Sequence, residues 1–302
     1  MECLILSAGA GSRLMPLTAR LPKPLLPLGP TTVLGRLVGQ VAPLGPRRVL
    51  CNLHHHAAAA EQYFAHADLG LPVVSRREDR LRGPAGSMLT FQDELAAADT
   101  VLVVSGDLYL GDGALAELVG RHRESGSDLS VLAVEVDDGS RFGVFRFDDG
   151  GRAVALEEKP AWAAGRRSWV SGGAYCLRPE LLKRVPADGL YDFGAHLIPE
   201  LLAERAAVRV VPWLGRWDDL GTTDSYRRVV LDDLASRAPE GGDVSHVAPT
   251  ARVHPTARLT GRVLVADRAV VGAGAWLHDT VVLPGAVVPD HTTVADGCVA
   301  RP

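Results

Sequence analysis

From Val247 onward the sequence keeps a period of six. Val247, Val253, Leu259, Val265, Val271, Leu277 and Leu283 form one series. Ala251, Ala257, Val263, Ala269, Ala275, Val281, Val287 and Thr293 form a second, offset by two. Apolar and small residues at this spacing are the pattern of a β-helix, in which each coil is built from three short faces, and about three coils fit before Val299. One coil cannot bury its apolar side unaided, so stacked neighbours, and then a second subunit, are expected to complete the core. Ahead of the repeat, Ala235 to Ser245 (ASRAPEGGDVS) is polar and rich in Gly and Pro, and reads as a linker. The expected division is therefore 1–234, a linker over 235–245, and the coil over 246–302.

The first 234 residues alternate short buried-strand runs with helical patterns, the signature of an α/β fold with a doubly wound sheet. Cys3 to Leu6, Arg48 to Leu53, Pro72 to Ser75, Val101 to Ser105 (VLVVS) and Leu129 to Val136 read as strands. Thr31 or Thr32 can cap a helix whose face is Val33, Leu34, Leu37, Val38 and Val41, with Gly45-Pro46 as its stop. Further helices are expected over Ala57 to Ala67, Met88 to Leu95 and Ala114 to His122. Phe142 to Phe147 and Ala153 to Leu156 flank Asp148-Asp149-Gly150-Gly151, a hairpin signal. Helical patterns return near Pro179 to Val185 and Phe193 to Glu204, with a strand at Val208 to Val211 and a helix capped by Thr223 that reaches about Leu234.

The formal net charge of −4 over 302 residues and the pI near 6.2 argue against a general nucleic-acid or membrane-surface binder. Cys3, Cys51, Cys176 and Cys298 are scattered without a C-x-x-C pair, which suits reduced thiols in a cytoplasm. No basic segment precedes the first apolar run, and no apolar stretch approaches the ~18 residues of a membrane span. A soluble, cytoplasmic protein is expected.

Chemistry concentrates in the opening loop, Leu4 to Gly29. A buried strand meets Ala8-Gly9-Ala10-Gly11-Ser12, then Arg13, then Lys23 between two prolines. Glycines let backbone N–H groups surround an anion, while a guanidinium and an ammonium supply charge at two points. The loop lacks the third glycine and later acidic residue of a dinucleotide fold, and it lacks G-x-x-x-x-G-K-[ST]. It is similar instead to the signature of the sugar-1-phosphate nucleotidyltransferases, G-x-G-[ST]-R-[LM]-x-P-L-T…P-K-P-L-x-P. Gly9, Gly11, Ser12, Arg13, Leu14, Pro16, Leu17, Thr18, Pro22, Lys23, Pro24, Leu25 and Pro27 match it.

Further segments carry the same resemblance. Arg82-Gly83-Pro84-Ala85-Gly86-Ser87 resembles L-G-T-A-G-A, with Pro84 in place of threonine. Gly106-Asp107 follows the VLVVS strand, Glu158-Lys159-Pro160 resembles E-K-P, Ser171-Gly172-Gly173-Ala174-Tyr175 stands where N-A-G-I-Y is usual, and Trp217-Asp218-Asp219-Leu220-Gly221-Thr222 resembles W-x-D-[IV]-G-T. The resemblance implies that Leu6, Ala8, Gly9, Gly11, Ser12 and Arg13, with Gly83, Ala85 and Gly86, bind the nucleotide. Lys23, Gly143, Glu158, Lys159, Ser171 and Gly173 are implied to bind the sugar phosphate. Asp107 and Asp219 are the implied Mg²⁺ ligands, with Asp218 the competitor for the second place. Arg13, Lys23 and Lys159 are the implied catalytic cations. A Rossmann-like core followed by a left-handed β-helix is the fold it implies.

The implied reaction joins a nucleoside triphosphate to a sugar 1-phosphate and releases pyrophosphate. Its nucleophile is already an ionised phosphate, so positioning and charge neutralisation suffice; no Ser-His-Asp or Cys-His set is evident. The combination of loop, E-K-P segment and hexapeptide tail looks most like mannose-1-phosphate guanylyltransferases, which favours GTP. Asn52-Leu53-His54-His55 resembles some uridylyltransferases, which keeps UTP or a thymidine nucleotide and another hexose, amino-sugar or cyclitol open. A catalytically silent nucleotide-sugar binder is a further alternative, and so is acyl transfer on the β-helix. The repeat has no long insertion to carry a catalytic histidine, and His246, His254, His278 and His291 are expected on outer turns. His54, His55 and His56, at a strand end, read as a polar turn rather than a metal cluster.

Overall fold

The structure is a computed structural model and describes residues 1–237 and 242–301. It divides into two compact units. The first comprises Met1–Ala8, Leu37–Ala57 and Glu61–Trp217; the second comprises Gly9–Arg36, Ala58–Ala60 and the chain from Asp218 onward. Residues 238–241 of the expected linker lie outside the described residues.

The first unit is built on a nine-stranded mixed sheet. Its strands are β1 (Glu2–Leu6), β2 (Val49–Leu53), β3 (Val73–Arg77), β4 (Val101–Ser105), β5 (Leu129–Val136), β6 (Gly143–Phe147), β7 (Ala153–Glu158), β8 (Ser168–Leu177) and β9 (Val208–Trp213). The order runs β7-β6-β8-β4-β1-β2-β3, with β5 also on β8 and β9 on β5. β3, β2, β1 and β4 are mutually parallel. Their interior members are near-continuous apolar runs, as strands covered on both faces must be. Cys3, Cys51 and Cys176 are buried in this sheet as free thiols, and burial pushes Cys51 and Cys176 up to about 12.

Register aligns the carboxyl ends. Leu6 pairs with Asn52 on one side and Ser105 on the other, so Ser7 and Gly106 leave the sheet at one edge, beside Leu53 at the end of β2, where open α/β sheets bind ligands. β8 is antiparallel to β4, β5 and β6 and carries the sheet from the parallel half to the β6–β7 hairpin. Its register against β5 slips between Ser171 and Tyr175. Gly172 and Gly173 lie in that bulge: Gly173 has φ +77, and a methyl on Gly172 would stand 3.1 Å from the Leu132 carbonyl oxygen.

The helices follow the apolar periods. α1 (Val33–Val41) buries all five expected residues, and the Thr32 hydroxyl caps it by accepting the Gly35 N–H. α2 spans Ala57–His66, α3 spans Ala114–Ser125 and α4 spans Ile198–Ala203. Three expected helices are wholly or partly tighter or wider turns: Gly86–Phe91 is 3₁₀ ahead of a short helix at Gln92–Ala96, Pro179–Arg184 is 3₁₀, and a π-turn at Phe193–Leu197 precedes α4. α5 (Thr223–Ala235) is capped by Thr222, not Thr223, through a capping box with Ser225.

In the second unit the chain after Asp243 forms short parallel strands that stack at a fixed offset. Val244–Val247, Arg258–Val265 and Trp276–Val282 form one ladder; Arg252–Val253, Val270–Val271 and Val287–Val288 form another. This is compatible with a β-helix. The offset is 18 residues (Leu259 to Leu277) and becomes 17 beyond Asp279 (Val265 to Val282). The loss of one residue corrects the expected phase. Val282, Ala286 and Val288 line the interior instead, and Val287 is 56% exposed. Asp279, at φ +43, closes the shortened turn by accepting the Arg262 N–H at 2.8 Å. His254 and His291 are on exposed turns, whereas His246 and His278 lie within strands. Among the described residues no helix is long and apolar enough to cross a membrane.

One buried histidine makes stability pH-dependent. His122 on α3 is 5% exposed, with Nδ1 2.9 Å from the Ser130 hydroxyl. Burial, with Arg178 and Arg123 nearby, pushes it down to about 4. The unfolded chain therefore binds its proton more readily, so this contribution is complete above the ordinary histidine value near 6.5 and falls as pH drops from there toward about 4. In urea titrations across that range, the native chain is expected to lose up to roughly 3 kcal/mol more than a His122→Asn variant loses.

Candidate active site

At the carboxyl edge of the first unit, the polar residues are locked before any substrate arrives. Asn52 is 1% exposed; its Oδ1 accepts the Ser7 N–H at 2.8 Å, and its Nδ2 donates to Glu78 Oε1 at 3.1 Å and Ser87 Oγ at 3.0 Å. Glu78, 6% exposed, also accepts from Thr90 Oγ1 at 2.8 Å and from Ser87 Oγ. A carboxylate with several donors around it can be buried where an unpaired one could not. His54 joins through Nδ1, 2.7 Å from the Glu78 carbonyl. His55 and His56 are exposed, and among the described residues no group of three or more His, Cys, Asp or Glu is placed to hold a metal. A single asparagine in an otherwise apolar strand was the one sequence signal of this network.

The Gly83–Ser87 loop is held by the backbone of Tyr191. The N–H groups of Ala85 and Gly86 donate to the Tyr191 carbonyl at 3.1 and 2.9 Å, and Tyr191 N–H donates to the Arg82 carbonyl at 2.8 Å. Those two amides are thus committed within the protein, and Pro84 has none to offer. Gly83 has φ +79, and a methyl there would stand 2.6 Å from the Tyr191 oxygen, so glycine alone fits.

Asp107 lies two residues beyond the end of β4 and is half-buried; the preceding Gly106 N–H donates to the Leu6 carbonyl at 2.8 Å. Leu6 ends β1, and Ala8, two residues on, is buried. At the end of β7, Glu158 and Lys159 pair at 3.3 Å. Lys159 is a non-glycine residue at φ +48, its N–H donating to the Phe142 carbonyl at 2.9 Å. Gly143 leaves room for Glu158: a methyl there would be 3.0 Å from Oε2. Ser171 is 2.8 Å from the Tyr175 hydroxyl, and the Gly173 N–H donates to Ser171 Oγ at 3.4 Å. Trp217 Nε1 donates to the Gly172 carbonyl at 3.0 Å, fixing the bulge.

The second unit holds the loop cations. Gly9, Ser12 and Arg13 are exposed; Gly11 has φ +63, and its carbonyl accepts the Thr18 hydroxyl at 2.8 Å. Pro22 and Pro24 frame a 3₁₀ turn, Lys23–Leu25, which buries Lys23 to 8% exposure. Its Nζ lies 3.6 Å from Asp219 Oδ1. Arg13 and Asp219 both border Gly221, where a methyl would be 3.1 Å from Asp219 Oδ2 and 3.3 Å from an Arg13 guanidinium nitrogen. Asp218 has a different partner, Arg228 of α5 at 2.6 Å. Strand alternation sends adjacent carboxylates to opposite sides, which separates the two candidates of the W-x-D segment.

A family model described as nucleotidyl transferase matches residues 2–236. The chain belongs to the nucleotidyl transferase family. Among its relatives is a mannose-1-phosphate guanylyltransferase of Mycobacterium tuberculosis, 28% identical, with 99% of this chain and 82% of that protein aligned. Another is a UTP–glucose-1-phosphate uridylyltransferase of Synechocystis, 28% identical over 78% of this chain and 64% of that one. The solved structure of HddC from Yersinia pseudotuberculosis has the same fold over 76% of this chain and 97% of its own, with a TM-score of 0.61 at 21% identity. The nucleotidyl transferase model thus covers both segments that hold the candidate residues, Leu6 to Lys23 and Gly83 to Asp219.

Gly83→Ala is expected to lower unfolding free energy by on the order of 1–3 kcal/mol, from positive φ and the clash with Tyr191. Chemical denaturation of the purified variant measures it; an unchanged midpoint would show that the loop is not held this way.

Proposed function

We propose that the protein transfers a nucleotidyl group from a nucleoside triphosphate to a sugar 1-phosphate, with GTP and mannose 1-phosphate or a similar sugar as substrates. The pairing of a buried Lys23 with Asp219, with Arg13 bordering the neighbouring Gly221, is the observation that carries the reaction class. Two cations on one loop suit a triphosphate, whose several negative charges outweigh the single carboxylate that Lys23 faces here. The base assignment draws support from coverage: the guanylyltransferase relative aligns over nearly the whole chain, the uridylyltransferase over 78%.

In this reading a phosphate oxygen of the sugar 1-phosphate attacks the α-phosphorus in line, and the bond to pyrophosphate breaks. No proton has to move, so no general base is needed. Gly9, Gly11 and Ser12 present backbone to the phosphates, Arg13 stabilises the departing pyrophosphate, Lys23 contacts the α-phosphate region and Lys159 orients the incoming phosphate. Glu158 takes sugar hydroxyls, with Ser171, Gly143 and Gly173 shaping that side. The loop at Gly83, Ala85 and Gly86 serves the base by its shape, because its Ala85 and Gly86 amides are committed to Tyr191.

Asp107 and Asp219 suit magnesium: both offer hard carboxylate oxygens and both remain partly exposed. When bound, Mg²⁺ supplies charge neutralisation at the triphosphate. We propose that the C-terminal ladders form a left-handed β-helix whose role is assembly with a second copy, in a soluble cytoplasmic enzyme.

The deciding experiment measures pyrophosphate release with each NTP against hexose, amino-sugar and cyclitol 1-phosphates. GTP with mannose 1-phosphate is expected to give the highest kcat/KM. A preference for UTP or dTTP would select the other branch, and no release with any pair would favour a silent binder. Asp107→Ala is expected to lower turnover at least about 100-fold in saturating Mg²⁺.

The two neighbouring aspartates should separate. Asp219→Asn is expected to lose turnover and also to lower melting temperature, because it takes the counter-charge from the buried Lys23, whereas Asp218→Asn should lower melting temperature, because Asp218 is paired with Arg228, and retain most activity. Equal loss of turnover in both would contradict the assignment.

A further inference from the structure

The segment Tyr191–Gly194 touches both substrate sides of the first unit, although no motif marks it. Its first residue holds the base loop, since the Tyr191 carbonyl accepts the Ala85 and Gly86 amides at 3.1 and 2.9 Å. Two residues on, the Phe193 ring, fully buried, stacks on Tyr175 at 4.0 Å between centroids and 11° between planes. The Tyr175 hydroxyl is 2.8 Å from Ser171 Oγ. One further on, Gly194 backs Glu158: a methyl there would stand 3.3 Å from Oε2.

The segment is stiff. Asp192 Oδ1 accepts the N–H groups of Gly194 and Ala195 at 2.7 and 3.1 Å. The Tyr191 hydroxyl donates to Glu200 Oε2 on α4 at 2.5 Å, and its ring stacks on His196. Phe193–Leu197 is a π-turn, an uncommon geometry that persists where surrounding contacts require it. Four consecutive residues thus hold the base loop at one end and, at the other, reach Ser171 through Tyr175 and border Glu158 Oε2.

We infer that Tyr191–Gly194 is a strut that sets the spacing between the nucleobase loop and the sugar-binding side chains, with Phe193 its central positioning residue. Phe193 acts through Tyr175 on Ser171, and through the adjoining backbone on the Tyr191 carbonyl. The inference rests on reading Glu158 and Ser171 as sugar-facing and Gly83–Gly86 as base-facing. An ordinary core phenylalanine would affect stability alone, whereas a strut transmits its displacement to two binding sites.

Phe193→Leu and Gly194→Ala are compared with the native enzyme by steady-state kinetics and by amide hydrogen exchange. Phe193→Leu is expected to raise KM for the NTP and for the sugar 1-phosphate by about fivefold or more each, with kcat within about twofold. The Ala85 and Gly86 amides should exchange at least about tenfold faster, with β1 and β4 unchanged. Gly194→Ala, whose methyl would stand 3.3 Å from Glu158 Oε2 and in ordinary contact with Asp192 Oδ1 at 3.4 Å, should raise the sugar 1-phosphate KM and leave the NTP KM as it was; it also serves if Phe193→Leu fails to fold. A Phe193→Leu enzyme with native NTP KM and native exchange at Ala85 and Gly86 would overturn the strut, as would a Gly194→Ala enzyme with native sugar KM. If the native chain releases no pyrophosphate from any pair, the proposed function fails, and the exchange measurement on Phe193→Leu still decides the strut by itself.

Discussion

A polar side chain inside an apolar strand costs free energy unless its hydrogen-bonding atoms all find partners, and Asn52 meets that condition with three. Its oxygen fixes Ser7 at the exit of β1, and its nitrogen is shared between Glu78 and Ser87. Removing any one partner would leave a buried group unsatisfied, so the arrangement is all-or-none in character. The exit of β1, the end of β2 and the start of the Ser87 turn are therefore placed together, at the edge where parallel strands present ligand-binding loops.

Charge is handled with similar economy. Lys23 is buried beside Asp219, and Arg13 and that aspartate both border Gly221. A buried ammonium needs a counter-charge, and Asp219 supplies it in the absence of substrate. Asp218 is instead committed to α5 through Arg228, so the adjacent carboxylates are not interchangeable. For a reaction between two phosphates, such placement is most of what catalysis requires: the nucleophile is already ionised, and the work lies in alignment and in offsetting negative charge.

Much of the architecture is legible along the chain. VLVVS at 101–105, LSVLAVEV at 129–136 and the α1 face are regular enough that their periods define the elements, and the loop from Gly9 to Pro27 carries a dense motif. Other features depend on distant partners. Thr222 rather than Thr223 caps α5 because Ser225 sits three residues on to reciprocate. The six-residue period hid a single-residue deletion at Asp279, since Val281, Val282 and Leu283 are all apolar and allow either phase. The shorter turn, closed by Asp279 on the Arg262 N–H, selects Val282 for the interior. The commitment of the Ala85 and Gly86 amides to Tyr191 crosses more than a hundred positions, and no local pattern announces it.

By itself the sequence determined the main strands, the longer helices, the glycine-bearing loop with its two cations and the residues able to carry charge, because these follow from local periodicity and side-chain chemistry. Only the tertiary structure decided which of two adjacent aspartates faces Lys23, which valines line the C-terminal ladders, and which backbone donors the Gly83–Ser87 loop has left to offer. Each of those is a choice among chemically equivalent neighbours. Such choices are made by the partner that arrives from elsewhere in the chain, through burial and hydrogen-bond satisfaction, and that partner is visible only once the chain has folded.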